Sequence, residues 1–112
     1  MEIPKTLKIG PYVIKVIFPY TFRERDDLKG QFDYTALEIR IADEIPAGSP
    51  KLRDRQVWQT FLHEVAHAID IISGHRIFSD KNENNGKEKA LEGITTLSLQ
   101  VLIDNGYLDL DI

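Results

Sequence analysis

Two histidines and a glutamate lie close together near the middle of the chain, in the order His63-Glu64-Val65-Ala66-His67. On a helix, residues four apart lie on one face, so His63 and His67 can direct two imidazoles at a single metal ion. Glu64 would sit at the edge of that face, where its carboxylate can take the proton of a water beside the ion. The pattern therefore predicts a metal site with Glu64 as general base.

The same five-residue pattern also arises by chance, and the histidines would then be ordinary helix residues. Two features favour the metal site. Two of the three histidines in the chain fall inside the pattern. The flanking pairs Phe61-Leu62 and Ala68-Ile69 give the segment the apolar face of a buried helix. We therefore interpret both histidines as metal ligands.

Any further metal ligand must be a nitrogen or oxygen donor, because the chain has no cysteine. We expect Zn²⁺, which in catalytic sites has three protein ligands and an open fourth position. Glu88 and Glu92 are four residues apart on a second predicted helix and share one of its faces. One carboxylate can bind the ion, while the other accepts a hydrogen bond from the ring nitrogen of a ligand histidine that does not bind the metal. The residues leave open whether Glu88 or Glu92 is the third ligand.

The hydrophobic pattern along the chain indicates the elements that must position these residues. The predicted elements are a hairpin within 5–18, strands at 30–34 and 38–42, and helices at 51–73 and 87–104. The apolar stripe predicted to bury the second helix consists of Leu91, Ile94, Leu97, Ser98, Val101 and Leu102. We therefore expect an α+β fold, a small and mainly antiparallel sheet of three to four strands packed on two main helices.

The length and composition of the chain limit the classes of protein to which it can belong. A chain of 112 residues with 42% hydrophobic and 29% charged residues is typical of one globular domain, here 1–112. A net charge of -4 gives no broad basic field, so we expect no nucleic-acid partner. No apolar run is long enough to cross a bilayer and the N-terminus has no signal-peptide pattern. We therefore expect no membrane association and a cytoplasmic location.

The motif and the two downstream glutamates resemble the pattern of the thermolysin-like gluzincin metallopeptidases. In those enzymes the motif histidines and a downstream glutamate bind zinc, and an acid four residues later supports a histidine. The resemblance makes Glu88 the third ligand and Glu92 the supporting acid, although Glu92 stands where those enzymes have a shorter aspartate. It implies a minimal zincin fold and hydrolysis of a peptide bond in a protein or peptide by a metal-bound water that Glu64 activates.

From Gly30 onward, most of the chain also resembles small phage- and prophage-encoded proteins that carry the same metal motif. The shared residues are Gly30, Asp33 and Tyr34 before the motif and Gln100, Asp104 and Asn105 at the end of the last helix. More distantly, the chain resembles the anti-repressor metallopeptidases of mobile elements, which cut a repressor. These resemblances imply a metallopeptidase of phage type.

Two other functions fit the same residues. One is a zinc hydrolase that acts on a non-peptide amide or ester. The other is a zinc-binding regulatory or interaction protein of phage origin without turnover, although a purely structural site has no need of the base Glu64. A domain of this size has little surface for substrate subsites, so a second copy or a protein partner could complete the groove.

Three further features each allow more than one interpretation. Asp70 could support His67 as a second-sphere partner or be a solvated helix acid. His75 could bind substrate or metal, but a helix cap or a surface position is the preferred interpretation. The strand at 38–42 could be an edge to which an extended substrate adds, or simply one strand of the sheet.

Overall fold

A computed structural model of the chain describes residues 2–23, 27–78 and 85–110. Its elements are β1 (Thr6–Ile9), β2 (Tyr12–Ile17), β3 (Gly30–Asp33), β4 (Glu38–Ile41), α1 (Asp54–Ile72) and α2 (Asn85–Asp104). The predicted α+β class is confirmed. Residues 79–84 of the connection between the helices lie outside the described ranges. No helix in the described part of the chain is long and apolar enough to span a membrane.

The four strands form one sheet in the order β1-β2-β4-β3. β1 pairs with β2 and β3 pairs with β4 in antiparallel fashion, whereas β2 and β4 run parallel. Two of the three pairings thus have the expected geometry, and the parallel pair in the middle makes the sheet mixed. β4 is hydrogen-bonded on both sides, so the interpretation of residues 38–42 as an edge strand is wrong. The edge is β3.

The core lies between α1 and one face of the sheet. Successive side chains of a strand point to opposite faces, and the inward set on β2 and β4 is fully or almost fully buried: Ile14, Val16, Ile39 and Ile41. On α1 the Trp58 and Phe61 rings complete this core, packed edge to face with their centres 5.5 Å apart. The helix that carries the metal motif is therefore anchored on the sheet by its apolar side.

On the outer face of the sheet, Arg40 ties the edge strand β3 to β4. Its guanidinium lies 3.0 Å from Asp33 Oδ2 and 2.8 Å from Glu38 Oε2. It also donates a hydrogen bond of 2.9 Å to Gln31 Oε1, and its centre is 5.7 Å from the middle of the Tyr20 ring. These contacts hold β3 in place from the side opposite to α1.

Among the described elements, α2 packs on α1 alone. Its buried face is Leu91, Thr95 and Leu99, spaced four apart. The predicted stripe is therefore wrong at Ile94, Leu97 and Val101, which are 55%, 67% and 57% exposed, and at the exposed Ser98, whereas Leu102 is half-buried. An apolar pattern does not reveal this face, because one of its three residues, Thr95, is polar. The Thr95 hydroxyl donates a 2.9 Å hydrogen bond to the Leu91 carbonyl. That bond satisfies a polar group inside the helix interface.

Candidate metal centre

The two motif histidines lie one turn apart on α1, with ring centres 4.8 Å apart. Their Nε2 atoms both face Glu88 in the first turn of α2. His63 Nε2 is 2.6 Å from Glu88 Oε1, and His67 Nε2 is 3.3 Å from Glu88 Oε2. The structure thus brings three of the predicted site residues together, with ligand atoms that all lie within 4.8 Å of one another.

Glu92 faces the other nitrogen of the His63 ring. Its Oε2 lies 2.9 Å from His63 Nδ1, but without the alignment of a hydrogen bond. In the described part of the chain, His63 Nδ1 is the one buried side-chain nitrogen or oxygen that has no hydrogen-bond partner. The two glutamates therefore lie on opposite sides of one imidazole, Glu88 at Nε2 and Glu92 at Nδ1.

Glu64 is buried at the same place, with 8% of its surface exposed. Burial raises the pKa of its carboxyl to about 8, and the negative charges of Glu88 and Glu92 contribute to the rise. A hydrogen bond from the backbone N–H of Phe32 acts in the opposite direction. The carboxyl is therefore mostly protonated at neutral pH, and a positive charge close to it would favour the ionised form.

The residues present fit a zinc ion. Burial lowers the pKa of His67, so its imidazole is neutral at physiological pH, the form that binds metal. Ligand atoms about 2.0–2.2 Å from a tetrahedral zinc lie roughly 3.3 Å from one another, and His67 Nε2 and Glu88 Oε2 are 3.3 Å apart. The 2.6 Å between His63 and Glu88 is shorter, but the Glu88 side chain is 53% exposed and has room to turn.

Gly30, the first residue of β3, lets the edge strand approach α1 at the site. A Cβ atom on Gly30 would lie 2.6 Å from Thr60 Cγ2 and 3.0 Å from Glu64 Cγ. The first distance is too short for real atoms, so any larger residue would force the Thr60 side chain, the helix or the strand to shift. A glycine within a strand signals such an approach, but the sequence does not reveal which residues approach it.

β3 is an edge strand of the described sheet, and its outer side lies beside Glu64. The Ala42 N–H donates a 2.8 Å hydrogen bond to the Lys29 carbonyl, which places Lys29 in the ladder with β4. Because alternate residues of an antiparallel strand exchange these bonds, the backbone groups of Gly30 and Phe32 point to the open side. The Phe32 N–H is accordingly the group that donates to Glu64.

A groove of about 520 Å³ opens onto the site. The residues that line it come from the start of β3, from α1 with the residue Leu52 before it, and from α2: Lys29, Gly30, Leu52, Gln56, Gln59, Thr60, His63, Glu64, Glu88 and Glu92. This volume is within the roughly 300–1,000 Å³ of typical ligand pockets. The groove therefore gives a substrate access to His63, Glu64 and Glu88 at once.

Asp70 and His75 do not belong to the group of three donors found in the described part of the chain. Asp70 is buried, so its interpretation as a solvated acid is wrong. Its carboxylate accepts hydrogen bonds from the backbone N–H groups of Ile77 at 2.8 Å and Phe78 at 2.9 Å. Asp70 thus fixes the segment that leaves α1. His75 is exposed beyond Gly74, which ends the helix with a φ of +83°.

Comparison of the chain with protein-family models, curated proteins and solved structures gave no match.

Proposed function

We propose that this protein is a zinc-dependent metallopeptidase in which His63, His67 and Glu88 hold the ion. The observation that carries the proposal is the convergence of three zinc-type donors beside the buried Glu64, next to β3, an edge strand of the described sheet. A buried carboxyl group costs stability, and a purely structural zinc site has no use for it. The resemblance of the sequence pattern to gluzincins supports the same function.

A bound zinc ion would polarise the scissile carbonyl, lower the pKa of the attacking water and favour the ionised form of Glu64. Glu64 accepts the proton that the water loses as it attacks, and returns this proton to the leaving amine. Glu92 faces His63 Nδ1 and can hold the proton on that nitrogen, which keeps the Nε2 lone pair available as a ligand. Each predicted site residue then has a distinct task.

The substrate in this proposal is an extended peptide segment that adds to β3. The N–H and carbonyl of Gly30 and the carbonyl of Phe32 offer hydrogen bonds to the main chain of such a segment, whereas the Phe32 N–H already donates to Glu64. Strand addition recognises the main chain, and pockets beside it select the side chains. The 520 Å³ groove is available for this selection. We therefore expect cleavage of unfolded or extended segments rather than of compact domains.

A zinc hydrolase for a non-peptide amide is the second candidate, because the groove also has the volume of a small-molecule pocket. The two candidate functions differ in whether the substrate binds to the edge of β3. A peptidase depends on the strand edge, whereas a hydrolase of small amides depends on the groove alone.

The test is an incubation of the zinc-loaded full-length protein with a mixed peptide library and with an unfolded protein, followed by mass spectrometry of the products. We expect new peptide termini with the unmodified protein and none with Glu64→Gln, which should still bind zinc. Glu2→Gln is the matched control, because Glu2 is exposed. Cleavage of small amides alone would favour the second candidate. Zinc binding without any turnover would overturn both and leave a non-catalytic zinc protein.

A further inference from the structure

Gln59 lies on α1 one turn before His63 and hydrogen-bonds to two residues of α2. Its Nε2 donates to Glu92 Oε1 at 2.7 Å and to Thr96 Oγ1 at 3.0 Å. Glu92 and Thr96 are themselves one turn apart, so a single amide group contacts two successive turns of α2. Gln59 is therefore held in one position by its two acceptors.

The carboxylate of Glu92 lies between Gln59 and His63. Oε1 accepts from Gln59, whereas Oε2 lies 2.9 Å from His63 Nδ1. From this arrangement we infer that Gln59 is a positioning residue, which acts through Glu92 to orient the imidazole of His63. The inference rests on the proposed zinc site, because the orientation of the His63 ring affects function only if the ring binds the metal.

Glu92 needs such a partner because its side chain is 50% exposed. A glutamate has three rotatable side-chain bonds, and a solvated one occupies several rotamers. The Gln59 amide holds one oxygen of the carboxylate, which restricts where the other oxygen can lie. When zinc occupies the Nε2 side of the ring, that second oxygen, 2.9 Å from Nδ1, would accept the proton on Nδ1 and leave the Nε2 lone pair to the metal.

A second glutamine provides a matched control for the test. Gln100 of α2 accepts a hydrogen bond from Arg55 of α1, so it also links the two helices. It is absent from the residues that line the groove. Gln59→Leu and Gln100→Leu therefore each remove one glutamine link between the same helices, but only the first variant affects Glu92.

The first readout is zinc affinity, measured by competition with a chromophoric chelator. Loss of an outer partner of a metal ligand weakens binding by about 10–100-fold. We expect a weakening near the lower end of that range for Gln59→Leu, and no change for Gln100→Leu. Gln59→Glu, which keeps the length but places a carboxylate against Glu92, should also weaken binding. In a Glu92→Ala background, Gln59→Leu should have no further effect.

The second readout is the ¹⁵N NMR signature of the His63 ring, recorded in the metal-free and zinc-loaded protein. Gln59→Leu should shift the Nδ1 resonance and Gln100→Leu should leave it unchanged. Equal effects of the two leucine variants on affinity and on the ring would overturn the inference and make Gln59 a simple link between helices. Failure of the unmodified protein to bind zinc would overturn the proposed function instead, while the metal-free ring spectra would still decide the role of Gln59.

Discussion

Glu64 is a carboxylic acid that α1 buries close to two other glutamates. Its pKa is about 8 in the folded protein, against 4.5 for the free side chain. The folded state therefore holds the proton more tightly than the unfolded chain does. By linkage, the free energy of unfolding of the metal-free protein falls as the pH rises from about 4.5 to about 8.

Replacement of Glu64 by glutamine should remove this dependence, because glutamine has no charge to bury. Above pH 8 the Glu64→Gln variant should be more stable than the unmodified protein by a few kcal/mol, since each pKa unit corresponds to about 1.4 kcal/mol. Near pH 4, where the carboxyl is protonated, the two proteins should unfold at similar denaturant concentrations. Guanidinium titrations with a chelator present measure both values. If the two proteins differed in unfolding free energy by the same amount at pH 4 and at pH 9, the raised pKa of Glu64 would be contradicted.

The motif histidines were recognisable in the sequence because their relation is local, one turn of a helix. Glu88 and Glu92 could be named as candidates from their chemistry and spacing. Which of the two carboxylates lies at which nitrogen of the His63 ring depends on how α2 packs on α1. That packing cannot be read from a local sequence pattern. Gly30 is at the site because of contacts with Thr60 and Glu64, residues distant in sequence, so its role was missed.

At the scale of elements, the approach of β3 to α1 can be tested with a pair of glycine variants. Gly30→Ala places a methyl group against Thr60 Cγ2, and overpacking of this kind costs about 1–3 kcal/mol. Gly93 of α2 has open space around the added Cβ, so Gly93→Ala should instead stabilise the protein by roughly 0.5–1 kcal/mol. Thermal denaturation of both variants measures the difference.

A second substitution separates steric conflict from other effects of Gly30→Ala. Thr60→Ser removes Cγ2 but keeps the hydroxyl that donates to the Gln56 carbonyl. In the Gly30→Ala background it should therefore recover part of the lost stability. No recovery would argue that β3 and α1 are not in contact at this point.

The orientation of α2 predicts opposite outcomes for two leucines of the same helix. Leu99 is fully buried, whereas Leu97 is 67% exposed. Leu99→Ala should cost about 2–5 kcal/mol, and Leu97→Ala should change stability by no more than about 0.5 kcal/mol. Denaturant titration compares them directly. A larger loss at Leu97 would mean that α2 is rotated from the described position.

The elements themselves were predictable from the sequence, but their arrangement was only partly so. Alternation identified the strands, yet it cannot tell a central strand from an edge strand. β4 became central because β2 runs parallel to it, a pairing between residues distant in the chain. The buried face of α2 was misread because Thr95 is polar and satisfies its own hydroxyl within the helix.

At the scale of the whole molecule, the proposed zinc site lies where α2 joins the rest of the protein. α2 contacts α1 alone among the described elements, and Glu88 lies in its first turn. A zinc ion held by ligands from both helices would therefore secure α2 to α1.

Zinc should accordingly stabilise the folded protein and protect α2. At a free zinc concentration 100-fold above the dissociation constant, the unfolding free energy should rise by about 2.7 kcal/mol. Amide hydrogen exchange in α2 should slow at the same time. His67→Ala should show neither effect. An unchanged melting temperature across a zinc titration would contradict the site.

The most direct test of the central claim is the zinc content of the untagged protein by elemental analysis, beside His67→Ala, Glu88→Gln and Glu92→Gln. The site predicts about one zinc per chain, lost in His67→Ala and Glu88→Gln and retained with weaker affinity in Glu92→Gln. Absence of zinc from the unmodified protein after reconstitution would contradict the metal centre. Full retention in Glu88→Gln with loss in Glu92→Gln would contradict the assignment of the third ligand.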